Sequence, residues 1–315
     1  SEGHSIVADL NRQHTPSDYL QLTFDQFDVQ SAKVWLEPLG FNVEGFINGR
    51  FSMFGFDEVP YFTANLNVDE CVVNAQPLGD VDISSSWNAE YNQLSLYVTT
   101  DLEKEEGSVT PLMATGYVSL SNQLNTSDVH FDISFDEFSM QTVSPLLRSF
   151  SSRFEGLLRG DFVVDGTLAS PQIEGVAYID EGLIKVDFLN TLYAFDDSIT
   201  FSKNDISFRQ FEIRDERGNK AFVTGNINHN DFSDFVTALN LTTDNFLFMN
   251  TTSQNNSYYG TVLASANGSI SGPFDDISIN VKATTKPGST LFIPMNNRRQ
   301  VKELDYIQFV SDDYY

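Results

Sequence analysis

The side chains that most often do chemistry are scattered in this chain. The four histidines, His4, His14, His130 and His229, are candidate metal ligands or general bases, but none has the i, i+4 or cysteine-partnered spacing of a metal site. Cys71 is the only cysteine, so no intrachain disulfide can form and cysteine usage leaves the redox compartment open. The acidic pairs Asp57-Glu58, Asp196-Asp197, Asp275-Asp276 and Asp312-Asp313 have the chemistry of glycosidase carboxylates or calcium ligands. They are read instead as turns, where Asp hydrogen-bonds its own backbone. No phosphate loop, dinucleotide fingerprint or Gly-x-Ser-x-Gly elbow occurs. Asn125, Asn240, Asn250, Asn255 and Asn267 fit the glycosylation acceptor pattern, a coincidence expected in a chain this rich in Asn, Ser and Thr. The expectation is a protein without a catalytic centre, metal or cofactor.

Charge narrows the partners. Across 315 residues the formal net charge is −26. That excess repels phosphate backbones and anionic membrane surfaces, and places the carboxylates on a solvated outer face. No apolar run approaches the length of a membrane-spanning helix, and no signal peptide is evident. The chain opens within a strand pattern, Ser5 to Leu10, and reads as a segment of a longer protein.

The organising feature is a repeat. Phe24, Asp25 and Phe27 recur 111 positions later as Phe135, Asp136 and Phe138. Glu44, Gly45, Gly49, Phe51, Gly55 and Pro60 recur as Glu155, Gly156, Gly160, Phe162, Gly166 and Pro171. Roughly a quarter of about forty positions are identical, without a gap. A degenerate third copy starts near Leu239. The expected organisation is one elongated array: 1–129 holding the first copy, 130–238 the second, and 239–315 a truncated third.

Within each copy, period-two alternation predicts strands. Leu20, Leu22 and Phe24 share a face, as do Leu158, Gly160, Phe162, Val164, Gly166 and Leu168. Ile173, Ala177 and Ile179 follow, then Ile184 with Val186, Ile199 with Phe201, and Ile206 with Phe208. A one-residue slip at Gln210 predicts a bulge before Phe211 and Ile213. Val223, Gly225 and Ile227 form another strand, followed by Leu239 with Leu241 and by Ile277, Ile279 and Val281. Asp196-Asp197, Lys203 to Asp205 and Arg214 to Asn219 are predicted turns. Short helices are expected at Gln30 to Leu39 and at Val143 to Phe150, the latter with Ser144 as N-cap and Pro145 in first position. The glycines at 45, 49, 55, 156, 160 and 166 mark curvature or a surface kept open for a ligand. The fold class is all-β: an elongated, curved repeat sheet forming an open groove with an apolar interior, and short helices between repeats.

From Gly156 to Met295 the order of pieces resembles the TamB family of the Gram-negative envelope, its AsmA-like relatives included, in a Bacteroidetes style. The pieces are LLRGDFVVDGTLASPQIEGVAYIDEGLIKV, then FLNTLYAFDDSITFSKNDISFRQFEIRDERGNKAFVTGNINHNDFSDF, then LNLTTDNFLFMNTT, then GSISGPFDDISINVKATTKPGSTLFIPM. The resemblance implies a folded-over sheet, or β-taco, with an apolar lumen. It implies the periplasm, an inner-membrane anchor outside this segment, and a TamA-type outer-membrane β-barrel partner. It further implies a part in outer-membrane biogenesis, either conducting phospholipid between membranes or helping assemble outer-membrane proteins by strand-edge pairing. The lipid-facing residues expected on the bottom-up pattern are Leu20, Leu22, Phe24, Phe162, Val164, Ile173, Ile179, Val186, Phe201, Phe208, Ile213, Val223, Ile227, Leu239, Leu241, Ile277 and Ile279. A charge at Phe162 or Phe208 is expected to abolish lipid loading while leaving the fold mostly intact. A secreted adhesin or glycan-binding β-protein is the more distant alternative.

Overall fold

A computed structural model describes residues 5–13, 18–32, 41–56, 60–121, 124–147, 151–231, 233–253 and 258–293. Alternating apolar and polar residues produce a run of long strands. They are β1 (Ser5–Asn11), β2 (Tyr19–Asp28), β3 (Val43–Phe54), β4 (Tyr61–Val73), β5 (Gln76–Asn88) and β6 (Gln93–Lys104). Then come β7 (Gly107–Val109), β8 (Leu112–Ser119), β9 (Asp128–Ser139), β10 (Arg153–Thr167), β11 (Ser170–Val186) and β12 (Thr191–Ser202). The last are β13 (Asp205–Asp215), β14 (Lys220–Asn230), β15 (Ser233–Thr251), β16 (Tyr259–Pro273), β17 (Ser278–Thr285) and β18 (Thr290–Phe292). Each pairs antiparallel with its neighbour in the chain, with two exceptions: β6 bonds both the short β7 and β8, and β18 bonds β16 beyond β17. The result is one open meander whose described outer strands are β1 and β17, not a barrel.

The sheet bends along a line of bulges on alternate strands. Register slips occur between Phe24 and Phe27 on β2, Val68 and Cys71 on β4, Ile179 and Gly182 on β11, and Phe208 and Phe211 on β13. On β9 the slip lies opposite Leu158 and Gly160. At each, Gln26, Glu70, Glu137, Glu181 or Gln210 takes a left-handed conformation, with φ between 50° and 55°. Two consecutive polar residues then face outward between two inward apolar ones, which bends the strand and strengthens its twist. The bulge expected at Gln210 is therefore one of a series, and Gln26 and Glu70 recur 111 residues later as Glu137 and Glu181.

Side chains satisfy the backbone that the bulges leave unpaired. Gln26 N–H donates to Asn48 Oδ1 at 2.8 Å, Glu70 N–H to Asp80 Oδ1 at 2.9 Å and Glu181 N–H to Asp196 Oδ1 at 2.6 Å. Asp197 Oδ2 accepts from Glu212 N–H at 2.9 Å. This corrects the turn expected at Asp196-Asp197. The pair lies inside β12, and its carboxylates bond the backbones of the flanking strands rather than closing a hairpin.

The short helices also differ from expectation. The second is a 3-10 segment, Met140–Leu147, that starts ahead of Ser144 and contains Pro145, so Ser144 is not its N-cap. The first is a single 3-10 turn, Val29–Ala32; the rest of the predicted helix lies outside the described residues. Each segment buries one apolar residue on the sheet. Val29 packs on Val68, Cys71 and Val81, and Met140, 111 positions on, joins Ile179, Phe195 and Phe211.

Candidate functional site

The bulges and the pleat together put one uncharged row across the molecule. In direct cross-strand register it runs Ile6, Phe24, Gly49, Leu66, Ile83, Val98, Ala114, Ile133, Phe162, Gly175, Phe201, Ile206, Ile227, Thr237 and Gly272. At about 4.8 Å per strand the row is about 65 Å long, twice the hydrocarbon thickness of a bilayer. Neighbouring rows repeat the chemistry: Phe208, Gly225, Leu239, Ile270 and Ile279 face one another on β13 to β17.

All the residues expected to face lipid lie on this one side. Leu20 and Leu22 flank Phe24 on β2, opposite Met53 and Phe51. Val164 and Ile173 pair across β10 and β11, and Ile179 faces Leu158. Val186 faces Thr191, Ile213 faces Ala221, and Val223 faces Leu241. Ile277 precedes β17 in alternation with Ile279. Depth separates them. Ile179 is 4% and Phe162 8% exposed, whereas Ile279 at the β17 edge is 65% exposed. Most of the others are half-buried, since no second sheet covers this face among the described residues.

The burial of Phe162 overturns one expectation. Its ring packs edge-on between Phe135 and Phe201, with centroids at 5.7 and 5.6 Å, and lies over Gly175, where an added Cβ would meet it at 2.7 Å. A charge there is expected to destabilise the fold, because it would be buried among these rings without a partner. Phe131 over Gly116 and Phe195 over Gly182 repeat the arrangement. At those three glycines the space is filled by a neighbouring phenylalanine, so it is not held open for a ligand. The inward glycines of the repeat, Gly49 and Gly160, face Phe24 and Phe135 directly. Gly160 (φ 152°) is also required by backbone, because a Cβ would fall on the Val176 carbonyl oxygen. Gly45 and Gly156 sit beside the bulges of β4 and β11, while Gly55 and Gly166 lie near strand ends.

The outer face carries the charge. Arg159 bonds Glu137 at 2.9 Å, Asp136 at 3.2 Å and Asp180, next to two bulges. Hydrogen bonds from Lys104 and Arg159 hold the Glu137 carboxyl below the usual carboxylate range. His130 Nδ1 lies 2.7 Å from Asp165 Oδ1, and that bond raises its pKa. Of the other histidines, His229 is buried on β14, while His4 and His14 lie outside the described residues. No group of three or more metal-ligating side chains occurs among the described residues.

One buried acid had no recognised signal in the sequence. Asp215 closes the β13–β14 hairpin and is 5% exposed. Its Oδ1 accepts from the backbone N–H groups of Arg217 and Asn219, at 2.8 and 2.9 Å. Its Oδ2 accepts from the backbone N–H of Leu247 on β15 at 2.8 Å. Beyond the hairpin tip β12 and β15 meet directly: Tyr193 stacks on Phe246 and donates its hydroxyl to Leu247 O at 3.1 Å. Burial pushes the Tyr193 pKa up to about 12.

No helix of the described residues is long and apolar enough to cross a membrane. No curated protein and no solved structure matches the chain significantly. Residues 209–313, the last third of the chain, match the family model of the TamB C-terminal domain. This segment begins at the β13 bulge and includes Asp215, the hairpin it closes and the rows on β14 to β17. Over this last third the chain is thus similar to the TamB family, whose members are cell-envelope proteins that act in envelope biogenesis.

Proposed function

We propose that the inner face is a track for phospholipid acyl chains, and that the chain forms part of a periplasmic bridge between the inner and outer membranes. The observation that carries this reading is the uncharged row from Ile6 to Gly272, half-open to its surroundings along one side of the sheet. Each methylene buried there contributes about 0.8 kcal/mol, so a ten-carbon stretch of acyl chain gains about 8 kcal/mol before its loss of freedom is counted. Such binding is non-directional, which suits a cargo that slides. In this reading the protein transforms nothing and needs no cofactor.

The test is lipid extraction and native mass spectrometry on protein purified without detergent. Leu22→Asp and Phe208→Asp introduce charge at half-buried inward positions far apart on the track, with circular dichroism to verify the fold. Phospholipid on the parent and its loss from both folded variants is the expected result. A lipid-free parent, or folded variants with a full complement, contradicts the reading.

A second reading, strand-edge pairing with outer-membrane protein clients, is favoured by the exposure of every residue of β17 and of five of the seven residues of β1. It predicts that client strands compete for those edges.

A further inference from the structure

Part of the outer face is hydroxyl rather than carboxylate, and it is hollowed. Three adjoining depressions, of about 630, 420 and 500 Å³, lie there. The first and second share Ser84, and the second and third share Thr115 and Asp132, so they form one groove from β2 to β11. At about 4.8 Å per strand its length is about 38 Å. Register sets its floor. One row runs through Thr23, Asn65, Ser84, Tyr97, Thr115 and Asp132, with Arg50 between the first two. Each of these is the chain neighbour of a residue in the apolar row, so the pleat turns it to the opposite side. The row beside it holds Ser52, Thr63, Ser86, Ser95, Tyr117 and His130.

The lining points to a class of ligand. Ser52 is 7% exposed and opens into the first hollow, and its hydroxyl has no hydrogen-bond partner among the described residues. A buried hydroxyl left unpaired is costly, and a ligand that bonds it recovers that cost. Tyr97 presents its ring on the floor at 40% exposure. Tyr117, on the next strand, lies 5.6 Å from the His130 ring. At the flank, Phe54 stacks on Tyr61 at 5.3 Å and Tyr61 on Trp87 at 4.4 Å. Hydroxyls donate and accept alike, and tyrosine offers a flat apolar plate with a polar tip. The net charge of −26 repels an anionic polymer. The polar floor gives an acyl chain nothing to bury against. The strands beneath are already paired on both sides, so a polypeptide laid across them finds no ladder to join. A chain of neutral sugar rings matches both the hydroxyl rows and the aromatic plates.

We propose that this outer groove binds a linear, uncharged oligosaccharide, with sugar rings on Tyr97 and Tyr117 and sugar hydroxyls on the serine and threonine rows. The site lies on the opposite side of the sheet from the acyl-chain track and is independent of it.

Isothermal titration calorimetry on the whole chain tests it, with cellohexaose, β-1,4-mannohexaose and the N-acetylglucosamine hexamer as probes. Saturable binding of at least one hexamer is expected, with a Kd of about 1 mM or lower. Tyr97→Ala and Thr115→Arg alter exposed positions and should each weaken it roughly tenfold while circular dichroism stays unchanged. Phe222→Ala removes an outer aromatic of similar exposure, 39%, outside the groove and should leave binding as it was. No saturable heat with any of the three hexamers overturns the proposal. So does binding that survives both folded groove variants, or that Phe222→Ala weakens equally. An uncharged Gly-Ser-Thr decapeptide that binds with the same dependence on Tyr97 would make the groove a polypeptide site and overturns it as well.

Discussion

Replacing Asp215 tests how the β13–β14 hairpin is tied to the rest of the sheet. Asp215→Ala removes the acceptor of three backbone N–H groups, those of Arg217, Asn219 and Leu247. Leu247 is 1% exposed, so its orphaned amide costs about 1–3 kcal/mol. The Arg217 and Asn219 amides lie nearer water and add about 1 kcal/mol between them. The expected loss is about 3 kcal/mol, roughly a hundredfold faster local opening. Hydrogen exchange should show it at residues 245–251 and at the facing start of β12, with little change in β2 to β5. Asp215→Asn retains one oxygen and can serve either the turn or Leu247, so it should lose about half as much. If Leu247 stays as protected in Asp215→Ala as in the parent, Asp215 does not hold the strands together and the reasoning fails.

Three further outcomes follow from single positions. Gly225→Ala places a Cβ on the Ala238 carbonyl oxygen at φ 122° and should lower stability to denaturant by more than Gly218→Ala, where φ is 79° and the space is open; equal losses would argue against close strand approach at Gly225. His130 gains its raised pKa from Asp165, so its stabilising contribution is complete below about pH 6.5 and is lost as pH rises through the raised value. A His130→Gln variant should flatten that part of the stability–pH curve, and an unchanged curve would exclude the pairing. Cys71 is 6% exposed and burial pushes its thiol pKa up, so a thiol reagent should label it only after denaturant opens the β4–β5 region; rapid labelling of the native protein would contradict the packing around Val29.

Much of the inner face was legible because a strand's period of two separates its sides regardless of what it pairs with. Phe162, Ile173 and Phe208 could be assigned to a common face from alternation alone, and Gln210 betrayed its bulge by breaking that alternation. The same signal stood at Phe24-Asp25-Gln26-Phe27, Val68-Asp69-Glu70-Cys71, Phe135-Asp136-Glu137-Phe138 and Ile179-Asp180-Glu181-Gly182, where two polar residues separate two apolar ones. Asp196-Asp197 misled because a side chain that caps a turn and one that caps a bulge look alike in sequence. Asp215 could be placed in a turn, but its bond to Leu247 joins residues 32 positions apart, and no local pattern encodes that. The depth of Phe162 depends likewise on Phe135, Phe201 and Gly175 arriving from three other strands.

The most direct test of the lipid track is site-specific photo-crosslinking in cells. A photoreactive amino acid is placed inward at Leu22, Leu96, Phe208 or Leu239, and outward at Thr23, Thr115 or Thr242. Phospholipid adducts at every inward position and none outward is the predicted result. Equal labelling of both faces, or adducts confined to a single inward position, would contradict a continuous track.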